Sequence, residues 1–176
     1  MRKVSIHGLL IVGVMAIALP LAVLMVCTLT GDGITFESVS AYIGTKRALS
    51  AMEMGDYPES ARHIDFWGFN ENRTKVDHRY IEEEEQRYIE GLENFFDKGI
   101  TMGGYEVINA ITDDGYTTVT TRIIIDSKGD SHSFILRLSK HNGRLCPMGV
   151  VVDASNESTA LVADAFINVV RTYYPG

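Results

Sequence analysis

From Gly8 to Leu29 the chain runs apolar without a charged side chain, GLLIVGVMAIALPLAVLMVCTL. After a short polar stretch, Thr30 to Thr35, the apolar positions become spaced. Phe36, Val39 and Ile43, then Leu49 and Met52, recur at helical intervals and predict an amphipathic helix. Gly55-Asp56 stops it. Asp56 can cap a second helix through Tyr57, Ala61 and Ile64, with Pro58 tolerated in its first turn. Asp65 to Asp77, aromatic and then polar, reads as a loop. Tyr80 to Lys98 predicts the clearest helix, with Ile81, Tyr88, Leu92, Phe95 and Phe96 on one stripe.

After Gly99 the period falls to two. Tyr105 to Ile111 predicts a strand, and Asp113-Asp114-Gly115 a hairpin turn. Val119, Thr121, Ile123 and Ile125 line one face of the next strand; Phe134, Leu136 and Leu138 line a third, after a turn at Ser127 to Asp130. His141-Asn142-Gly143 turns the chain again, and Leu145 to Val152 reads as a fourth strand. From Asn156 a last amphipathic helix carries Leu161, Val162, Ala165, Phe166, Val169, Val170 and Tyr173. The fold class expected is α+β: an N-terminal transmembrane helix, then helices packed on a four-stranded antiparallel meander, plus this C-terminal helix.

The N-terminal run is about long enough to cross the ~30 Å hydrocarbon layer. It lacks an A-x-A cleavage pattern, and Val26 before Cys27 fits a lipidation signal poorly, so an uncleaved anchor is the expected reading over a signal peptide. Arg2 and Lys3 before the run place the N-terminus inside. The expected organisation is therefore a cytoplasmic N-terminus over 1–7, a single-pass transmembrane signal-anchor over 8–29, a linker over 30–35, and an extracytoplasmic domain over 36–176.

Charge narrows the partners. Setting aside Arg2 and Lys3 leaves 14 basic side chains against 23 acidic ones, a formal charge of −9. That balance argues against nucleic acid, whose binding rests on phosphate neutralisation. Cys27 lies in the apolar run and Cys146 stands alone after it, so the exported part can form no internal disulfide. Cys146 reads best as a buried small hydrophobe.

Helix, elbow at Gly55-Asp56-Tyr57, second helix, a third helix ending in Phe95-Phe96, then a curved meander: residues 36 to 152 resemble the NTF2-like (cystatin-like) superfamily in this order. The likeness is to the small membrane-anchored or lipoprotein-type domains common in Gram-positive bacteria. The resemblance implies a conical pocket between the helices and the concave sheet face. It also implies either ligand or protein binding, or isomerase or dehydratase chemistry with an Asp or His and Tyr partners. No catalytic position matches residue by residue.

The residues best placed to line such a pocket are His63, Asp65, Trp67, Tyr116 and His132. A His or Asp in an apolar pocket can serve as a general base, although His63 and Asp65, two apart, do not share a helix face. The histidines at 63, 78, 132 and 141 show no metal-ligand spacing. Glu82 to Glu85 read as a solvated helix start, where acids complement the dipole. No metal or cofactor is expected. The function expected is that of a membrane-tethered, non-catalytic binding or accessory domain recognising a protein, such as an envelope or secretion-system component, or a small ligand. A small pocket enzyme is the alternative.

Overall fold

The computed structural model describes residues 35–64, 66, 78–97, 99–113, 115–141, 144–146 and 151–171, with the backbone alone at 78–80, 141, 144–146 and 151–153. Four helices, α1 (Phe36–Glu53), α2 (Tyr57–Ala61), α3 (His78–Phe96) and α4 (Glu157–Val170), surround one face of a sheet. Its strands are β1 (Ile100–Asp113), β2 (Tyr116–Ser127), β3 (Asp130–His141), β4 (Arg144–Cys146) and β5 (Val151–Ala154). The α+β class and the helix–elbow–helix order agree with the pattern in the sequence.

Local chemistry sets the helix ends. Thr35 is extended and forms a capping box with Ser38: its hydroxyl accepts from Ser38 N, and its own N–H donates to Ser38 Oγ. Gly55, at φ +75°, supplies the left-handed residue that ends α1. Asp56 and Asn156 cap α2 and α4 by accepting from the backbone N–H three residues on.

β1, β2 and β3 form an antiparallel meander, in register from Asp113↔Tyr116 and Ser127↔Asp130 outward. Alternation along β2 and β3 buries Thr117, Val119, Thr121, Ile123 and Ile125, and His132, Phe134, Leu136 and Leu138 on the inner face. Thr121, although buried, is satisfied by donating to Leu136 O at 3.0 Å.

The meander differs from the four continuous strands expected. Residues 147–150 lie outside the description, and the described pieces on either side, β4 against Ser139–His141 and β5 against Phe134–Leu136, pair with β3 in registers that do not match. The regular meander is thus three-stranded.

The expected transmembrane helix over 8–29 lies outside the described residues. Among those described, no helix is long and apolar enough to cross a membrane. α1 carries Glu37, Lys46, Arg47 and Glu53, α3 carries its run of glutamates, and α4, at 14 residues, spans only about 21 Å. The single-pass anchor, the cell-membrane location and the extracytoplasmic placement thus gain no support from the fold and are set aside.

α1 meets the sheet by an unexpected face. Its buried positions are Ser38, Ala41, Thr45, Ala48, Leu49, Ala51 and Met52. Phe36 and Ile43, expected to be core, are instead 68% and 47% exposed. Small side chains let the helix approach the sheet closely, and the polar ones close their hydrogen bonds locally: Thr45 Oγ1 donates to Ala41 O and Ser38 Oγ to Thr35 O. α1 runs antiparallel to β1, since Thr35 bonds Thr112 and the Tyr105 hydroxyl donates to Lys46 O.

α4 covers the inner face beside α3. Ala163, Phe166, Ile167 and Val170 are buried, while Leu161 and Ala165 face outward. The two helices meet at Gly91, where a Cβ would lie 3.0 Å from Val169 Cγ1. Phe166 sits between Phe95 and Phe134, ring centroids 5.7 and 5.8 Å away.

Candidate functional site

The concave inner face of the sheet is filled. Phe66, Tyr88, Leu92, Phe134 and Phe166 are all buried there, with Phe66 edge-on to Tyr88. Among the described residues a cavity of about 20 Å³ lies between Leu49, Met52, Ile64, Leu136, Phe166 and Val170. That is room for about one water, and its lining is apolar. The one hydroxyl bordering it, Tyr88, is hydrogen-bonded to Ser60 Oγ at 3.0 Å, and burial pushes its phenol well above the usual range.

Three of the residues expected to line a pocket, His63, Tyr116 and His132, lie among the described residues. His63 lies just past α2, with Nε2 3.4 Å from Glu59 Oε1 one turn back. His132 is on the inner face of β3, 7% exposed, with Nδ1 3.3 Å from Thr159 Oγ1 in the first turn of α4; Thr159 Oγ1 in turn is 3.4 Å from Ser155 Oγ. This hydroxyl–imidazole chain ties α4 to the sheet. Tyr116 is exposed at the β1–β2 turn. Ile125 lies opposite His132, so Tyr116 is nine residues away along β2, about 30 Å, and on the other face of the sheet. Asp65 and Trp67 lie outside the described residues. Among the described residues no three His, Cys, Asp or Glu side chains gather as a metal site; the Cys146 side chain lies outside the description.

A different feature stands open. Between α1 and β1 runs a groove of about 510 Å³, walled by Tyr42, Lys46 and Glu53 and by Gly104 to Val107. Beside it α1 presents Phe36, Tyr42 and Ile43 to solvent. Sequence reasoning missed this surface because it put Phe36 and Ile43 inside with Leu49 and Met52, of which only the last two are buried. The signal was nevertheless there: Ser38, Ala41, Thr45 and Ala48, with Met52 after them, recur at alternating three- and four-residue steps, a mostly small stripe as regular as any apolar one.

Neither family models, nor curated proteins, nor solved structures give a match to this chain. The NTF2-like resemblance therefore rests on element order and the Gly55-Asp56-Tyr57 elbow alone.

Proposed function

We propose that the described part of this chain is a non-catalytic recognition domain that engages a protein partner through the outer face of α1. The observation that supports this is the interior among the described residues, where the cavity beneath α4 measures only about 20 Å³, too small for a substrate. A pocket enzyme would need His63 or His132 to converge on a space that holds one. His63 is instead engaged by Glu59 and His132 by Thr159.

Exposed apolar side chains, by contrast, gather on α1 at Phe36, Tyr42 and Ile43. Clusters of that kind, bordered by polar groups such as Lys46 and Arg47, mark interaction surfaces. Aromatic anchors supply much of the energy at such surfaces.

A photo-crosslinking side chain at Tyr42 in the full-length chain should capture a partner whose purified form then binds measurably by calorimetry. Ile43→Asp and Phe36→Asp should weaken that binding by about 2 kcal/mol or more and change folding stability by only about 0.5 kcal/mol. Unchanged binding by both variants, together with a large thermal shift of the wild type by small molecules, would sink the proposal.

A further inference from the structure

Resting on the reading that α1 recognises a protein, the groove beside it indicates what form the partner takes. β1 is the last strand of the sheet, and among the described residues no strand pairs with its outer edge. Its ladder with β2 is interrupted by register shifts at Met102/Gly104 and Val107/Asn109. The regular stretch between them, Gly104 to Val107, is the stretch that lines the groove. Bulges guard a sheet edge against indiscriminate pairing. Here they restrict any added strand to about four residues, roughly 13 Å of extended chain. Gly104, at φ +150°, has open space where a side chain would be, so another backbone can come close.

The helical wall is dipolar. Lys46 stands beside Tyr105, and Glu53 lies two turns further, about 10 Å on, toward the start of β1. Both are exposed, and among the described residues neither makes an ion pair. Tyr42 adds an aromatic face to the same wall.

We propose that this groove seats a short extended segment of the partner, paired through its main chain to the free edge of β1. It carries a basic side chain toward Glu53 and an acidic one toward Lys46. In strand addition of this kind the backbone bonds give affinity and the alternate side chains give selectivity. The same pattern disfavours segments with two like charges at those positions.

The probe is a synthetic hexapeptide, Thr-Lys-Val-Glu-Val-Thr, added at about 1 mM to the isotope-labelled full-length chain. The amide resonances of Gly104 to Val107 should shift and gain protection from hydrogen exchange. Glu53→Gln and Lys46→Gln should each weaken binding about tenfold, and a Thr-Lys-Val-Lys-Val-Thr peptide should bind the wild type about tenfold more weakly. A peptide N-methylated at alternate amides, unable to donate along one edge, should not bind.

Equal binding of the N-methylated peptide, or no response at β1, overturns the strand seat. Shifts of the same resonances with protein concentration and no peptide overturn it too, since the occupant is then a second copy. In each of those cases, loss of partner binding by Ile43→Asp would leave recognition through α1 standing.

Discussion

Tyr88 shows how one side chain can be both anchor and liability. Its ring packs edge-on against Phe66, and its hydroxyl meets Ser60 of α2 in the core, so it joins α3 to the helical elbow. Burial disfavours the phenolate and raises the phenol's pKa; the Ser60 hydrogen bond opposes this only in part. The folded state therefore holds this proton more tightly than the unfolded chain, whose tyrosine titrates near 10. Its contribution to stability is fully present below about pH 10 and is lost as the pH rises beyond it. Tyr88→Phe removes that alkaline component, so the variant should lose less stability than the wild type above about pH 10. Near neutrality it should cost about 1–2 kcal/mol, because the Ser60 hydroxyl stays buried without its partner. Urea unfolding across the pH range reads both. Equal alkaline slopes for the two proteins would refute the assignment.

At the scale of elements, α1 owes its position to the residue that caps it. Thr35 caps the helix and also bonds Thr112 of β1 at 2.9 Å, which bonds Thr117 of β2 at the same distance. Three hydroxyls thus pin the helix start to the hairpin end of the sheet. Thr35→Ala should cost about 1–2 kcal/mol, and Thr35→Ser, which keeps the hydroxyl, well under 1 kcal/mol. Thermal unfolding separates them; equal losses would mean the cap does not position the helix. A second contact of this kind is Gly91 against Val169, where the nearest Val169 atom already stands at the limit of approach. Gly91→Leu should push α4 off α3 at a cost of about 1–3 kcal/mol, read by urea unfolding.

Most elements were legible from periodicity because burial of one face imposes it. Phe134, Leu136 and Leu138 alternate inward as read, and Tyr88, Leu92 and Phe95 share the buried stripe of α3. The face of α1 was not legible by counting large hydrophobes. Over its first three turns the helix puts small residues, Ser38, Ala41 and Thr45, at the contact and leaves Phe36 and Ile43 outside, while Leu49 and Met52 near its end are buried. The mismatched registers of β4 and β5 on β3 were not legible, because register depends on which part of the β3 edge each piece meets.

For the molecule as a whole, the small cavity under α4 is the observation on which the proposed recognition role rests. Phe166 is the part of α4 that occupies the space a ligand would need. Phe166→Ala should destabilise the fold by about 3–5 kcal/mol. It should also enlarge the apolar cavity enough to take up benzene, seen as a thermal shift absent from the wild type. A cost below about 1 kcal/mol would mean that α4 is an ornament on the core.

The candidate site divides along the same line. His63, Tyr116 and His132 could be named from residue type, since each has chemistry to offer. Whether they meet depends on β2 carrying Tyr116 and the partner of His132 to opposite ends and opposite faces. The sequence by itself determined the α+β class, the helix ends and the alternation of the meander, because caps, breakers and period act over a few residues. Only the tertiary structure decided that the concave face is closed by α4 and that α1 turns Phe36 and Ile43 outward. Both outcomes rest on which surfaces meet across the fold, and that is set by volume and fit between segments far apart in the chain.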